Sequence, residues 1–201
     1  MKLKRSKITI LVIAVILIAA LWATGLMGLW LKGLSYMAYN NKNYSNSQGH
    51  IVDGEFSISV NLKDLESNIG KELYNDGENK IYIYWMDNTG DVMSGGYRIG
   101  FRSSGQYSLD SATLVSGIHH EHSDNYYLES KSAIMTAKYK GNIYNSIESG
   151  TSALNYKDGD DFAFYIFPTE AYENGEVSLN EEGIVDITVT NLYKNIWTKY
   201  K

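Results

Sequence analysis

Residues 80–86 read KIYIYWM. Side chains alternate across a strand, so Ile81, Ile83 and Trp85 fall on one face and Tyr82, Tyr84 and Met86 on the other. An amphipathic helix would instead repeat its apolar residues every three or four positions. The same period of two recurs along the chain. In EFSISVNL (55–62), Phe56, Ile58, Val60 and Leu62 alternate with Ser57, Ser59 and Asn61. In GYRIGFRS (96–103), Tyr97, Ile99 and Phe101 point inward and Arg98 and Arg102 outward. GIVDITVTNL (183–192) alternates in the same way, and YSLDSATLV (107–115) does so less regularly. DFAFYIF (161–167) is apolar on both faces and reads as a central strand, with the sole proline, Pro168, just after it. Residues 126–140 hold one or two more strands.

Turn chemistry separates these runs: Asn75-Asp76-Gly77, Asn88-Thr89-Gly90, Ser103-Ser104-Gly105, Asp158-Gly159-Asp160 and Asn174-Gly175. The pattern predicts an all-β fold, an antiparallel β-sandwich of about seven to nine strands. One short helix is expected over 63–77, where Leu65, Ile69 and Leu73 recur at helical spacing, and a second around 142–149. The folded part is expected to begin near Asp53 and to run to about Lys194.

The N-terminal part is different in kind. Lys2, Lys4, Arg5 and Lys7 form a basic head over residues 1–7, followed by 24 uncharged residues at 8–31. A helix of that length spans about 36 Å, against about 30 Å for a bilayer core. The expectation is a single transmembrane signal-anchor helix in the lipid bilayer, with the basic head in the cytoplasm and the C-terminal domain outside. A cleaved signal peptide ending near Ala23-Thr24-Gly25 is the alternative. Residues 32–52, rich in Asn, Ser and Tyr without a period, read as a polar tether. Residues 53–201 then form the extracytoplasmic domain.

Charge and composition exclude some functions. No acidic residue precedes Asp53, and beyond residue 33 there are ten more Asp and Glu than Lys and Arg. Nucleic acid is not an expected partner, because phosphate binding needs clustered Lys and Arg. There is no cysteine, so disulfides, thiolate catalysis and Cys-ligated metals are excluded. The high Asn, Lys, Ile and Tyr content points to an AT-rich genome, and the lack of cysteine fits a bacterial surface of Gram-positive type.

Candidate chemistry falls in four places. His120, His122 and Asp124 spell H-x-H-x-D, which resembles the start of the metallo-β-lactamase signature. Asn125 replaces that signature's next His, no His follows His122, and the segment reads instead as a polar loop between strands. Asp158, Asp160 and Asp161 form an oxygen-rich turn of the sort that can hold calcium, without the EF-hand spacing. Tyr82 and Tyr84, if exposed, would offer an aromatic platform for a sugar ring. Arg98 and Arg102 share a strand face and could clamp a carboxylate. No cofactor is implied, and no G-x-S-x-G nucleophile frame occurs.

The expected function is a membrane-anchored, non-catalytic binding or scaffolding module that recognises a protein partner. A carbohydrate-binding domain for cell-wall or capsule glycan is the alternative, and an exported hydrolase a more distant one. A protein-binding domain should show an exposed apolar patch or a bare sheet edge. A glycan binder should show exposed aromatics, and a hydrolase a cleft with converging titratable groups.

Overall fold

The structure is a computed structural model that describes residues 2–122 and 127–200, leaving the side chains of 2–6 and 122 outside the description. The described residues form four helices: α1 (Lys2–Ala23), α2 (Leu26–Lys32), α3 (Leu34–Ala38) and α4 (Thr169–Glu173). The strands are β1 (Tyr44–Ser45), β2 (His50–Ile51), β3 (Phe56–Asn61), β4 (Glu72–Asn75), β5 (Lys80–Asn88), β6 (Tyr97–Ser104), β7 (Gln106–Tyr107) and β8 (Ser111–Ser116). They continue as β9 (Ile118–His122), β10 (Tyr127–Lys131), β11 (Ile134–Tyr139), β12 (Asn142–Asn145), β13 (Ile147–Ser152), β14 (Asp161–Tyr165), β15 (Ile184–Thr190) and β16 (Tyr193–Lys199). Every described pairing is antiparallel.

The fold is therefore all-β with few helices, as the alternation requires. Strand order is β12–β11–β15–β3 in one sheet and β13–β14–β6–β5–β4 in another. A third runs β1–β16–β8–β7 with β2 also on β16, and β9 pairs with β10. The inward residues of the first two sheets meet in one core. Val60, Met135, Ala137, Val185, Ile187 and Val189 come from one side, and Ile81, Ile83, Ile99, Phe101, Phe162 and Phe164 from the other. Each such side chain contributes roughly 1.5–3 kcal/mol by leaving water. That is the energetic reason the period of two sets the register.

Four expectations change. The segment 63–77 makes one 3₁₀ turn at Glu66–Asn68 and then strand β4, not a helix. Asn68 is buried and holds the turn by donating to the carbonyls of Asn61 and Asp64. Gly70, at φ +84°, then breaks any helical continuation. The region 142–149 is strand, β12 and the start of β13, entered by a hairpin turn in which Lys140 and Gly141 both take positive φ. The domain runs past Lys194, because β16 lies between β8 and β1 with Asn195 and Trp197 buried. The described residues form sixteen strands against the seven to nine expected, since segments read as tether and helix contribute short ones.

Residues 32–52 are not a solvated tether either. Leu34, Met37, Ala38 and Tyr44 are buried in a second apolar cluster with Leu29, Ala112, Leu114, Leu154 and Trp197. Strands β1 and β2 add to β16. The N-terminal apolar run also departs from a single helix. It breaks after Ala23, and the segment from Lys7 to Ala23 meets α2 at a bend of 73°. Gly25 sits at φ +83°, open to glycine without strain, and the Thr24 hydroxyl donates to the carbonyls of Ala20 and Leu21. No single described helix is long and apolar enough to cross a membrane, and that length and apolarity are reached only by taking the two bent helices together.

Candidate functional site

The outer face of the β13–β14–β6–β5–β4 sheet carries the most organised surface chemistry. Strand β5 has a register shift between Ile83 and Trp85. A bulge of this kind re-aims the side chains beyond it. Trp85 therefore leaves the face that strict alternation gives it with Ile81 and Ile83, and Met86 is buried with them instead. Opposite Trp85 on β6 stands Gly100, and a Cβ built there would lie 2.2 Å from the indole Nε1. The ring thus lies across the sheet in space that only glycine leaves open.

The register continues this row. Gly100 faces Ala163 on β14, and Ala163 faces Gly150 on β13. With the Trp85 ring lying over Gly100, Ala163 and Gly150 make the floor of a trough that runs from the indole toward β13. One wall is the row Arg102–Asp161–Ser152, and the other is Arg98–Tyr165–Ile147. A depression of about 210 Å³ lies here, bordered by Trp85, Arg98, Gly150, Thr151, Ser152 and Asp161. That is below the roughly 300–1,000 Å³ of drug-sized pockets and suits one small polar unit at a time.

Both arginines clamp carboxylates of this chain. Arg98 donates through Nε and Nη2 to the two oxygens of Asp87, at 2.8 and 2.5 Å. Its guanidinium sits 5.4 Å from the Trp85 ring. Arg102 donates to Asp158 at 3.2 Å and stacks on Tyr156 at 3.5 Å. Asp161 accepts from Ser152 and Tyr156 through Oδ2, while its buried Oδ1 has no hydrogen-bond partner among the described residues. Burial lifts the Asp161 carboxyl above its ordinary value, with the Asp160 charge adding to the rise and donation from Tyr156 and Ser152 opposing it. The depression thus brings an indole, the Asp161 carboxyl and the hydroxyl-bearing Thr151 and Ser152 together on one face of the sheet.

Tyr82 and Tyr84 lie on the same strand but differ in exposure. Tyr84 is exposed but meets Tyr156 edge-on, with ring planes 75° apart. Tyr82 is half-buried beside Lys80. The aromatic that borders the trough is Trp85, which strict alternation sets on the face of Ile81 and Ile83.

The histidine stretch is strand, not loop: residues 118–122 form β9, paired with β10. Among the candidate metal ligands, the His122 side chain and Asp124 lie outside the described residues. His120 is buried, and both ring nitrogens are engaged. Nε2 bonds Asp160 at 2.6 Å, and Nδ1 bonds the Tyr127 hydroxyl at 2.5 Å, with Glu129 at 3.5 Å. Ser116 donates to Asp160, and Asn195 accepts from the His120 amide. Burial alone would depress the His120 pKa, but the bonds to Asp160 and Glu129 outweigh it and raise the ring to about 9. This imidazolium ties β8, β9, β10 and the approach to β14 together, and it is sealed from any substrate.

The acidic turn separates for a similar reason. Asp158 reaches Arg102, Asp160 reaches His120 and Ser116, and Asp161 reaches Tyr156 and Ser152. Among the described residues no group of three or more His, Asp or Glu is placed to hold a metal ion. Comparison of the chain with protein-family models, with curated proteins and with solved structures finds no match.

Proposed function

We propose that this chain is a single-pass membrane protein that displays an acidic antiparallel β-sandwich outside the membrane, as a non-catalytic module binding a neutral glycan. The observation that carries the ligand is the trough floored by Ala163 and Gly150 and ended by Trp85, whose ring lies over Gly100. A sugar ring offers an apolar face to an indole and hydroxyl donors to a carboxylate such as Asp161. The excess of ten acidic residues beyond residue 33 disfavours a polyanionic wall polymer. Membrane anchorage is supported by α1, whose apolar side chains from Ile8 to Trp22 stand exposed around the helix behind a basic head.

A second reading is favoured by the edge of the same sheet. Strand β13 pairs only with β14, and Met93, Ile147 and Tyr165 border a small depression beside it. Met93 is 85% exposed. A protein segment adding as a strand to β13 would cover these side chains.

The full chain in detergent should be retained on purified neutral wall glycan, and Trp85→Ala should weaken that binding more than tenfold, over about 1.4 kcal/mol. The variant's melting temperature serves as the control for folding. Equal retention of wild type and Trp85→Ala, or capture by the β13 edge with no glycan binding, would exclude the glycan reading.

A further inference from the structure

Helix α2 has two faces, and both are apolar. Gly25, Gly28, Leu29 and the following Gly33 face the domain. Tyr36 lies so close that a Cβ on Gly28 would come within 2.3 Å of its ring. Leu26, Trp30 and Leu31 face away and are exposed at 41%, 68% and 49%. The inner side of the elbow between α1 and α2 holds a cleft of about 340 Å³ bordered by Leu21, Leu26, Met27 and Trp30 alone. Solvated helices do not carry a second apolar face with an apolar cleft beside it.

The elbow is also fixed to the domain. The Leu34 amide donates to the Lys157 carbonyl at 2.7 Å, and a Cβ on Gly33 would lie 1.9 Å from that oxygen. Leu29, Leu34 and Met37 are buried with Trp197 and Leu154. The Lys157 ammonium lies 5.6 Å from the Trp30 ring, and Lys32 is exposed at the end of α2. One cation, Lys157, thus stands against the Trp30 side of the cleft, and a second is exposed on the same helix.

Length supplies an independent argument. The stretch Lys7–Ala23 has 17 residues and rises about 25 Å, less than the roughly 30 Å of a bilayer core. The remaining apolar depth must be filled by whatever follows the bend.

We propose that the α1–α2 elbow is a lipid-binding surface, with α2 lying in the outer bilayer interface and the Leu21–Leu26–Met27–Trp30 cleft taking a phospholipid acyl chain. This inference rests on the membrane-anchoring reading. It makes the β domain a body held against the membrane in one orientation, with Trp30 as an interfacial aromatic and Lys32 and Lys157 on the headgroups.

The absence of native cysteine allows clean labelling. Leu26→Cys and Leu31→Cys, both at exposed positions, would each carry an environment-sensitive fluorophore in the full chain reconstituted in phosphatidylcholine vesicles. Val15→Cys reports on α1 and Met93→Cys on the far surface. The expected result is at least twofold quenching at 26 and 31 by phospholipids brominated near the headgroup. Val15 should be quenched by lipids brominated deeper, and Met93 not at all. Quenching at Val15 without quenching at 26 and 31 would overturn the elbow inference and leave the anchor standing. No quenching at any position would overturn both. Blue-shifted labels at 26 and 31 that brominated lipid does not quench would mean that protein, such as a second copy, covers the elbow, which also overturns it.

Discussion

Replacing His120 with Gln is expected to destabilise the domain by about 3–5 kcal/mol, because it leaves Asp160 and Glu129 without their buried counter-charge. Glutamine keeps hydrogen-bonding capacity but not charge. The pH dependence gives a second reading of the same group. The folded-state pKa, about 9, lies above the ordinary histidine value of about 6.5. The stabilisation is then fully present below about pH 6.5 and is lost as pH rises through about 9, amounting to up to about 3 kcal/mol. The groups facing the ring are Asp160, Glu129 and Tyr127, with Ser116 beyond Asp160. Urea unfolding at pH 6, 7.5 and 9.5 would show a decline in wild type that is absent in His120→Gln. A variant as stable as wild type at pH 6, with the same pH profile, would contradict the account. The double variant His120→Gln/Asp160→Asn should recover part of the loss, because it removes one stranded charge along with its partner.

Trp197→Ala is expected to cost about 3–5 kcal/mol and to release residues 29–51, the N-terminal collar that packs on Trp197 and pairs with β16. Trp197 is fully buried between the β16–β8 sheet and the residues of α2 and α3 that cover it. Its indole nitrogen has no hydrogen-bond partner among the described residues, so the ring acts through volume and apolar area. Trp197→Phe keeps most of both and should cost much less than the alanine variant. Limited proteolysis of the alanine variant should cut within residues 40–50, a segment that β1 and β2 otherwise fasten to β16. Wild-type resistance in that segment would show that the collar is held by something other than this cluster.

These effects bear on what the sequence made legible. The alternation at 56–62, 97–103 and 184–190 placed inward and outward residues correctly, because a half-buried strand writes its burial directly into a period of two. It failed at residues 80–86, because the bulge adds one residue and inverts the pattern beyond it. That inversion is what carries Trp85 to the surface. The trough had a faint signal: Gly100 inside GYRIGFRS and Gly150 inside a strand are residues that strands otherwise avoid. Their alignment with Ala163 depends on strand order, which no local pattern records. The collar was missed for a related reason. Leu34, Met37 and Ala38 are few, scattered and surrounded by Asn and Ser, so only the partners that bury them reveal the contact. The histidine stretch looked polar and loop-like, yet His120 is buried because Asp160, forty residues away, supplies the opposite charge.

The central claim is that the outer trough holds a saccharide. Ala163→Leu tests it most directly, since Ala163 lies on the floor beside the Trp85 ring and leucine would fill the space there. Calorimetric titration of neutral oligosaccharides into the full chain in nanodiscs should give binding for wild type and at least a tenfold loss for Ala163→Leu, with the melting temperature within a few degrees. Undiminished binding by the filled-trough variant would contradict the account.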